Sequence, residues 1–224
     1  GVTRNVDPIL LGERRGAEAT EGQADTRANF LTRIEALIGT PNDPGSLSGN
    51  FDDFESRLVT AASSPDSQSR LESVLQSAGR LAARLNTISD GIQTIRREAD
   101  SQIGTEVETL NRSLSAIYDL NISIRSAVAR GEDALGLQDQ QQALIDGVSD
   151  LVPIREIRND SGMVSLFSGD GLALLDGRPA QFGFTPTAAI AADMSYANGD
   201  LSGLSVNGRP INLGGSYASL QGGR

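Results

Sequence analysis

The feature that most constrains the fold is an apolar stripe with helical spacing that runs from Leu71 to Val128. Its steps mostly alternate between three and four residues, the spacing with which a helix buries a narrow seam against other helices. No proline occurs between Pro65 and Pro153 to stop such a helix. At 1.5 Å per residue, a helix over this span would be about 90 Å long, so the stripe predicts a protein that spans distance or joins an assembly. The stripe comprises Leu71, Val74, Ala78, Leu81, Leu85, Ile88, Ile92, Ile95, Ala99, Ile103, Val107, Leu110, Leu114, Ile117, Ile124 and Val128.

Composition excludes several classes of function. The 224 residues are enough for one or two domains with real cores. A formal net charge of −10 argues against binding nucleic acid or an anionic membrane surface, and no apolar run is long enough to span a membrane. The chain has no cysteine and no histidine, which excludes a thiolate nucleophile, a Ser-His-Asp triad and nearly every zinc site. We therefore predict no enzyme, and no catalytic, cofactor or metal site.

Two shorter helices are predicted before the stripe and one after it. The first covers residues 9–38 and is weak in its first half, where Gly12, Gly16 and Gly22 each disfavour a helix by about 1 kcal/mol relative to alanine. The second covers residues 47–61. Ser64 and Pro65 then resemble the capping residue and first residue of the long helix. Gly131 ends that helix, and a further helix is predicted from residue 136 to residue 152.

The stripe contains one irregular step and one polar position. The apolar steps from Ile92 to Ile103 are three, four and four residues, an eleven-residue unit inside a seven-residue pattern, which unwinds a left-handed supercoil locally. Because Gly91 and Gly104 flank this unit, we expect a bend or a straightened stretch there. Asn121 lies in the seam, where it either fixes the register from a buried position or faces water.

After residue 152 the pattern changes to short strands separated by turns. Residues 152–157 and 163–167 predict a hairpin around the turn at 159–162. Further strands are predicted at 172–175, 180–184, 187–196 and 201–213, and residues 213–220 return to a helical pattern. The fold class is therefore α+β: an elongated antiparallel helical bundle or coiled-coil rod with one very long helix, followed by a small β-rich domain. We place the rod at 1–151, the β-rich domain at 152–213 and a return segment at 214–224.

Several motifs resemble functional sites but have simpler explanations. The 169–171 and 198–200 segments combine Gly with Asp but lack the ligand spacing of a calcium loop, so we interpret them as turns. Asn111 and Asn121 begin glycosylation sequons inside a helix, which we attribute to chance. Asp52 and Asp53 are adjacent on a helix and point about 100° apart, so they do not form a catalytic pair. Residues 96–98 are interpreted as a solvated helix face.

The order of segments resembles the FlgK family of flagellar hook-associated proteins over essentially the whole chain. The segments that carry the resemblance are RIEALIG at 33–39, GSLSGNFDDF at 45–54, SSPD at 63–66, AARLN at 82–86, LQDQQ at 137–141, LVPI at 151–154, MVSLF at 163–167 and LLDG at 174–177. The family usually shows Asp-Gln-Arg-Asp where this chain has Asp139, Gln140, Gln141 and Gln142. This difference puts a family ion pair at these positions in doubt.

The resemblance implies a structural component of the bacterial flagellum that serves flagellum assembly and motility. It implies type III export, secretion to the extracellular flagellum, and a role as the adaptor that links hook to filament. The implied partners are neighbouring copies of the chain, the hook protein and the next hook-associated or filament protein. The resemblance also implies a central fragment without either terminal region, which we expect to be monomeric by itself.

Two other classes of protein remain open. Flagellin and the second hook-associated protein share the same rod plan. A secreted helical adhesin or binding module would instead bind a ligand through residues 152–220.

Overall fold

The described part of the chain forms four helices followed by seven short strands. The structure is a computed structural model that describes residues 8–41 and 43–211, with side chains from residue 10 onward. The helices are α1 (Pro8–Ile38), α2 (Leu47–Ala62), α3 (Gln68–Ala129) and α4 (Leu135–Leu151). The predicted helix and return segment at 213–224 lie outside the described residues. The described helices and strands confirm the α+β class.

Local chemistry sets the ends of the helices. Gly39 and Gly131 follow α1 and α3 in the left-handed conformation, with φ of +80° and +72°, which glycine adopts without steric cost. Ser46 caps α2 by accepting a hydrogen bond from the Gly49 N–H at 3.0 Å. The predicted start of α3 is wrong: Pro65 lies in a turn, and the helix begins at Gln68.

Two antiparallel sheets follow the helices. The first has the order β1-β2-β3-β4, formed by Ile154–Arg158, Val164–Ser168, Ala173–Asp176 and Arg178–Pro179. The second has the order β5-β6-β7, formed by Phe182–Gly183, Ser205–Val206 and Arg209–Pro210. The predicted hairpin is confirmed, and Ile154 pairs with Ser168 at its open end.

Two strand predictions need correction. The segment 180–184 does not form one strand. Its residues divide between the sheets, because Ala180 donates to the Leu174 carbonyl at 2.8 Å while Gln181 donates to the Asn207 side chain at 2.9 Å. The segment 187–196 forms no strand but a series of turns in which only Ile190 is a buried apolar residue. One buried apolar residue provides too little burial for a strand face.

The described residues divide into two compact units. The sheet unit comprises those within Gly1–Asp25, Asp100–Thr187 and Ser195–Arg224. The helical unit comprises those within Thr26–Ala99 and Ala188–Met194. No helix in the described part of the chain is both long and apolar enough to cross a membrane.

The main core lies in the sheet unit, where the second half of α3 and α4 pack against both sheets. Successive residues of β2 alternate between buried and half-buried, as expected for a strand with one face on a core. The core consists of Leu110, Leu114, Ile117, Ile145, Val148, Val164, Leu166, Leu174, Leu175, Ala180, Phe182 and Val206. This core fixes the backbone segments on which the polar side chains described next converge.

Candidate functional site

The most distinctive polar feature is Asn121, whose side chain is 7% exposed in the sheet unit. Its Nδ2 donates to the Val164 carbonyl at 2.9 Å, and its Oδ1 accepts from the Val164 N–H at 2.8 Å. The same Oδ1 accepts a third hydrogen bond from Gln141 Nε2 at 2.9 Å. Asn121 therefore takes the buried, register-fixing position, and the solvent-facing alternative is wrong.

Gln141 and Arg158 extend this network towards the hairpin turn. Arg158 Nη1 donates to Gln141 Oε1 at 3.0 Å and to the Gly162 carbonyl at 3.2 Å. Gly162 has φ of +79°, and a Cβ there would lie 2.9 Å from Ile124 of α3, so only glycine lets the turn pack this closely. Gln141 itself is fully buried. A glutamine at this position is thus hydrogen-bonded on both sides.

Arg15 joins α1 to the same network. This arginine is 3% exposed, and its Nε donates to Asp146 Oδ1 at 2.8 Å while its Nη1 donates to Glu156 Oε2 at 2.8 Å. Glu156 also accepts from Arg158 at 2.8 Å. A buried guanidinium is costly unless it is paired, and here two carboxylates pair with it, although its Nη2 contacts Asp146 Oδ1 at 2.8 Å without forming a hydrogen bond.

Two further side chains of α3 hold backbone segments that follow the first sheet. Asn111 donates to the Phe182 carbonyl and accepts from the Phe182 N–H, both at 2.8 Å. Asp100 is 8% exposed and accepts from the Thr187 N–H at 2.5 Å. These polar residues bind peptide groups that the short strands leave without partners, which such buried groups require.

The helical unit has its own contacts between side chains and backbone. Arg84 donates to the Leu37 carbonyl at 2.7 Å, so a cation binds a free carbonyl at the end of α1. Gly91 gives Leu37 room, since a Cβ there would lie 2.6 Å from its Cδ2. Arg96 donates to the Ala191 carbonyl at 3.0 Å and to the Met194 carbonyl. The sequence prediction of a solvated helix face is therefore wrong for residue 96.

Asp53 is the titratable group of this unit with the clearest shift. A hydrogen bond from Arg80 at 2.6 Å lowers the pKa of the Asp53 carboxyl below its usual 3.8, and Arg57 at 3.2 Å adds to the effect. Asp53 is thus held in its charged form by two guanidinium groups.

The remaining motifs adopt turn geometry. In the 168–172 turn Asp170 accepts from the Ser168 hydroxyl, which lowers the pKa of its carboxyl, and Gly171 has φ of +92°. Asp200 accepts from the Ser195 N–H at 3.1 Å. Within residues 8–41 and 43–211, no group of three or more acidic side chains could hold a metal ion.

Both sequon asparagines are engaged in the hydrogen bonds given above, with their amide nitrogens directed at backbone carbonyls. One groove in the sheet unit has a volume of about 350 Å³. It lies open between α3 and the segment around Phe184 and Pro186. Glu108 is the titratable residue in its lining, so this groove brings no acid and base together.

The helical unit exposes several large apolar side chains. Part of the long stripe faces solvent within this unit, in contrast to Leu114 and Ile117 in the sheet unit, which are fully buried. Eight large apolar side chains are exposed in the described part of this unit. They are Leu31 at 50%, Ile38 at 38%, Phe51 at 56%, Leu58 at 43%, Val59 at 67%, Leu71 at 48%, Leu75 at 72% and Leu85 at 49% exposure.

Fold and contacts together define an α+β protein with one very long helix, whose buried polar side chains bind backbone segments of the sheets. More particularly, the chain belongs to the FlgK family, because the family model described as "Flagellar hook-associated protein FlgK helical domain" matches residues 31–221. The predicted family is thereby confirmed.

Individual relatives agree with this assignment. The chain is 23% identical over 219 residues to flagellar hook-associated protein 1 of Salmonella typhimurium, covering 96% of this chain and 39% of the relative. It is 26% identical over 214 residues to the protein of the same name from Bacillus subtilis, covering 92% of this chain and 42% of that relative. The chain thus spans about two fifths of the length of these relatives.

A solved structure shares the fold. The flagellar hook junction protein FlgK from Burkholderia pseudomallei superposes with a TM-score of 0.72 at 18% identity, covering 90% of this chain and 36% of that one. At this identity the match establishes the fold alone.

Proposed function

We propose that this chain is a non-catalytic structural part of the junction that links the flagellar hook to the filament, outside the bacterial cell. The observation that carries the proposal is the family match over residues 31–221. The contacts support it, because the half-buried Asn111 and the buried Asn121 and Gln141 bind the chain's own backbone and side chains. Groups engaged in this way position segments of a fold and are not free to act on a substrate.

The proposed partners are neighbouring copies of the chain, the hook protein and the next hook-associated or filament protein. The exposed apolar residues of the helical unit support contact with other chains or segments, since large apolar groups are stabilised when water is excluded from them. We assign the rod to 1–151 and the β-rich domain to 152–213, following the change from helices to strands after Leu151. We expect the 224-residue chain to be monomeric by itself. Filaments detected by light scattering would contradict this expectation.

The test uses the full-length parent protein in a motile strain whose own copy has been deleted. Leu75→Asp and Leu85→Asp place a charge at exposed apolar positions of α3, so they are expected to preserve folding while impairing attachment of filament to hook. Asn86→Asp adds a charge at a neighbouring exposed position of α3 and is the matched control. A pull-down with hook protein measures the binding step.

The proposal requires that the deletion strain lose motility and release filament subunits into the medium, and that the control restore attachment. Intact filaments on hooks in the deletion strain would contradict it. Binding of a host ligand by residues 152–220, with motility unaffected, would instead favour an adhesin.

A further inference from the structure

A four-residue turn in the segment between β5 and β6 is closed by the side chain of Met194. This turn, residues 191–194, belongs to the helical unit. The Met194 N–H donates to the Ala191 carbonyl at 3.3 Å, as in a β-turn, and the Ala191 N–H donates to Met194 Sδ at 3.2 Å. The thioether therefore binds a backbone group that the turn itself leaves without a partner.

Arg96 of α3 holds both ends of the same turn. Its guanidinium donates to the Ala191 carbonyl at 3.0 Å and to the Met194 carbonyl. A third hydrogen bond, to Gln93 Oε1 at 2.8 Å, fixes the guanidinium on its own helix. Arg96 and Met194 are both half-buried, and Ile190 beside the turn is buried. The turn thus depends on one arginine outside it and on one sulfur atom within it.

This sulfur is also chemically reactive. Because the chain has no cysteine, its two methionines, Met163 and Met194, carry its most readily oxidised side chains. Hydrogen peroxide transfers one oxygen atom to a thioether: the O–O bond breaks, an S–O bond forms and water leaves. The sulfur loses two electrons and the peroxide gains them. The resulting sulfoxide is polar and chiral, and enzymes can reduce it back to the thioether.

A sulfoxide at residue 194 is incompatible with the closed turn. Its oxygen is a strong hydrogen-bond acceptor, whereas a thioether sulfur accepts only weakly. The oxygen projects one bond length beyond Sδ, where the Ala191 N–H already makes its contact at 3.2 Å. This N–H cannot move outward to meet the oxygen without weakening the bond between the carbonyl of the same residue and Arg96. The two contacts therefore cannot both be kept after oxidation.

We propose that Met194 is an oxidation site, and that its conversion to the sulfoxide by a peroxide opens the 191–194 turn and releases it from Arg96. Reduction of the sulfoxide closes the turn again. Arg96 keeps its hydrogen bond to Gln93 on α3, so the helix is retained when the turn opens. This inference goes beyond the proposed function and does not depend on it, because it rests on contacts formed within the chain.

Two variants of the 224-residue chain with a single methionine each provide the test. Met163→Leu leaves Met194 as the one thioether. Met194→Leu leaves Met163, which is also half-buried and whose described hydrogen bonds are made by its backbone to Asn159. Each variant is treated with hydrogen peroxide, and mass spectrometry measures the extent of oxidation. NMR then measures hydrogen exchange of the backbone amides at positions 191 and 194, because exchange reports local opening.

The two variants are expected to respond differently. In Met163→Leu, oxidation should speed exchange of both amides by about tenfold or more, since their hydrogen bonds are lost. Exchange in α4 should change by less than about twofold. Treatment with a methionine sulfoxide reductase should restore the original rates. In Met194→Leu, peroxide should leave both amides unchanged, which separates the effect of this sulfur from general oxidative damage.

Arg96→Met distinguishes release from this arginine from a purely local change at the sulfur. Combined with Met163→Leu, it frees the turn without an oxidant, so later oxidation should speed exchange by less than about twofold further. The proposal is overturned if oxidation of Met194 leaves the exchange unchanged, or if oxidation has its full effect in the absence of Arg96. It is equally overturned if Met194 resists peroxide, either in this chain or in the full-length parent protein.

Discussion

The side chain of Asn121 pairs with the peptide group of Val164, 43 positions further along the chain, as a neighbouring strand would. The amide donates to the carbonyl at 2.9 Å and accepts from the N–H at 2.8 Å. Asn111 and Phe182 repeat this geometry with two bonds of 2.8 Å. A helix has no free backbone groups of its own to offer a strand, so side-chain amides on α3 supply them.

Asn121→Ala is expected to lower the free energy of unfolding of the sheet unit by about 2–4 kcal/mol, because buried donors and acceptors lose their partner. Asn86→Ala, at an exposed position of the same helix, is the control and should stay within about 0.5 kcal/mol of the unaltered chain. Urea denaturation followed by circular dichroism measures both. Equal effects of the two substitutions would show that Asn121 contributes only through helix propensity.

Substitutions in the two halves of the apolar stripe should change the stability of the fold by different amounts. Leu114 is fully buried and Leu85 is 49% exposed. Leu114→Ala is therefore expected to cost about 2–5 kcal/mol, while Leu85→Ala should cost less than about 1 kcal/mol. Thermal and urea unfolding of the two variants measure the difference. A large loss for Leu85→Ala would mean that its exposed side chain is covered in solution.

Replacing two helical glycines by alanine should change the stability in opposite directions. Gly16→Ala meets no neighbouring atom and is expected to stabilise α1 by up to about 1 kcal/mol. A Cβ at Gly104 would lie 2.7 Å from Pro186 Cγ, so Gly104→Ala must displace the segment that follows β5 and is expected to destabilise the sheet unit. Melting temperatures measure both changes, and a stabilising Gly104→Ala would contradict the close packing.

The pKa of Asp53 should depend mostly on Arg80. Because Arg80 lowers this pKa, the charged pair stabilises the fold above the usual value of 3.8. That contribution is lost as the pH falls from 3.8 through the lowered value. A carboxyl-detected NMR titration should show the pKa of Asp53 rising towards 3.8 in Arg80→Met and rising less in Arg57→Met. An unchanged pKa in Arg80→Met would rule out this hydrogen bond in solution.

Much of the local structure could be predicted from spacing and turn chemistry. The four helices, the β1–β2 hairpin and the turns at Gly39, Gly131 and Gly177 depend on residues close together in the sequence. The eleven-residue unit at 92–103 remains helical, and a bend there stays a prediction. The predicted strand at 187–196 is wrong because Ile190 is the one buried apolar residue in this segment.

The candidate site was only partly visible in the sequence. Asn121 stood out because a polar residue interrupted an apolar stripe. Arg15 and Gln141 gave no such signal, since each is a common polar residue in a helix that already contains many. Their roles depend on partners far along the chain: Asp146 and Glu156 lie 131 and 141 positions from Arg15.

The long stripe determined by itself that α3 would be one extended helix, because its spacing and the lack of proline act within a few turns. Its sequence is equally apolar at Leu85 and at Leu114, so it did not determine which part is covered. Only the tertiary structure decided this: the sheets and α4 pack on the second half of α3 and exclude water from Leu114. Burial depends on which distant segments come together, and spacing along one helix carries no information about them.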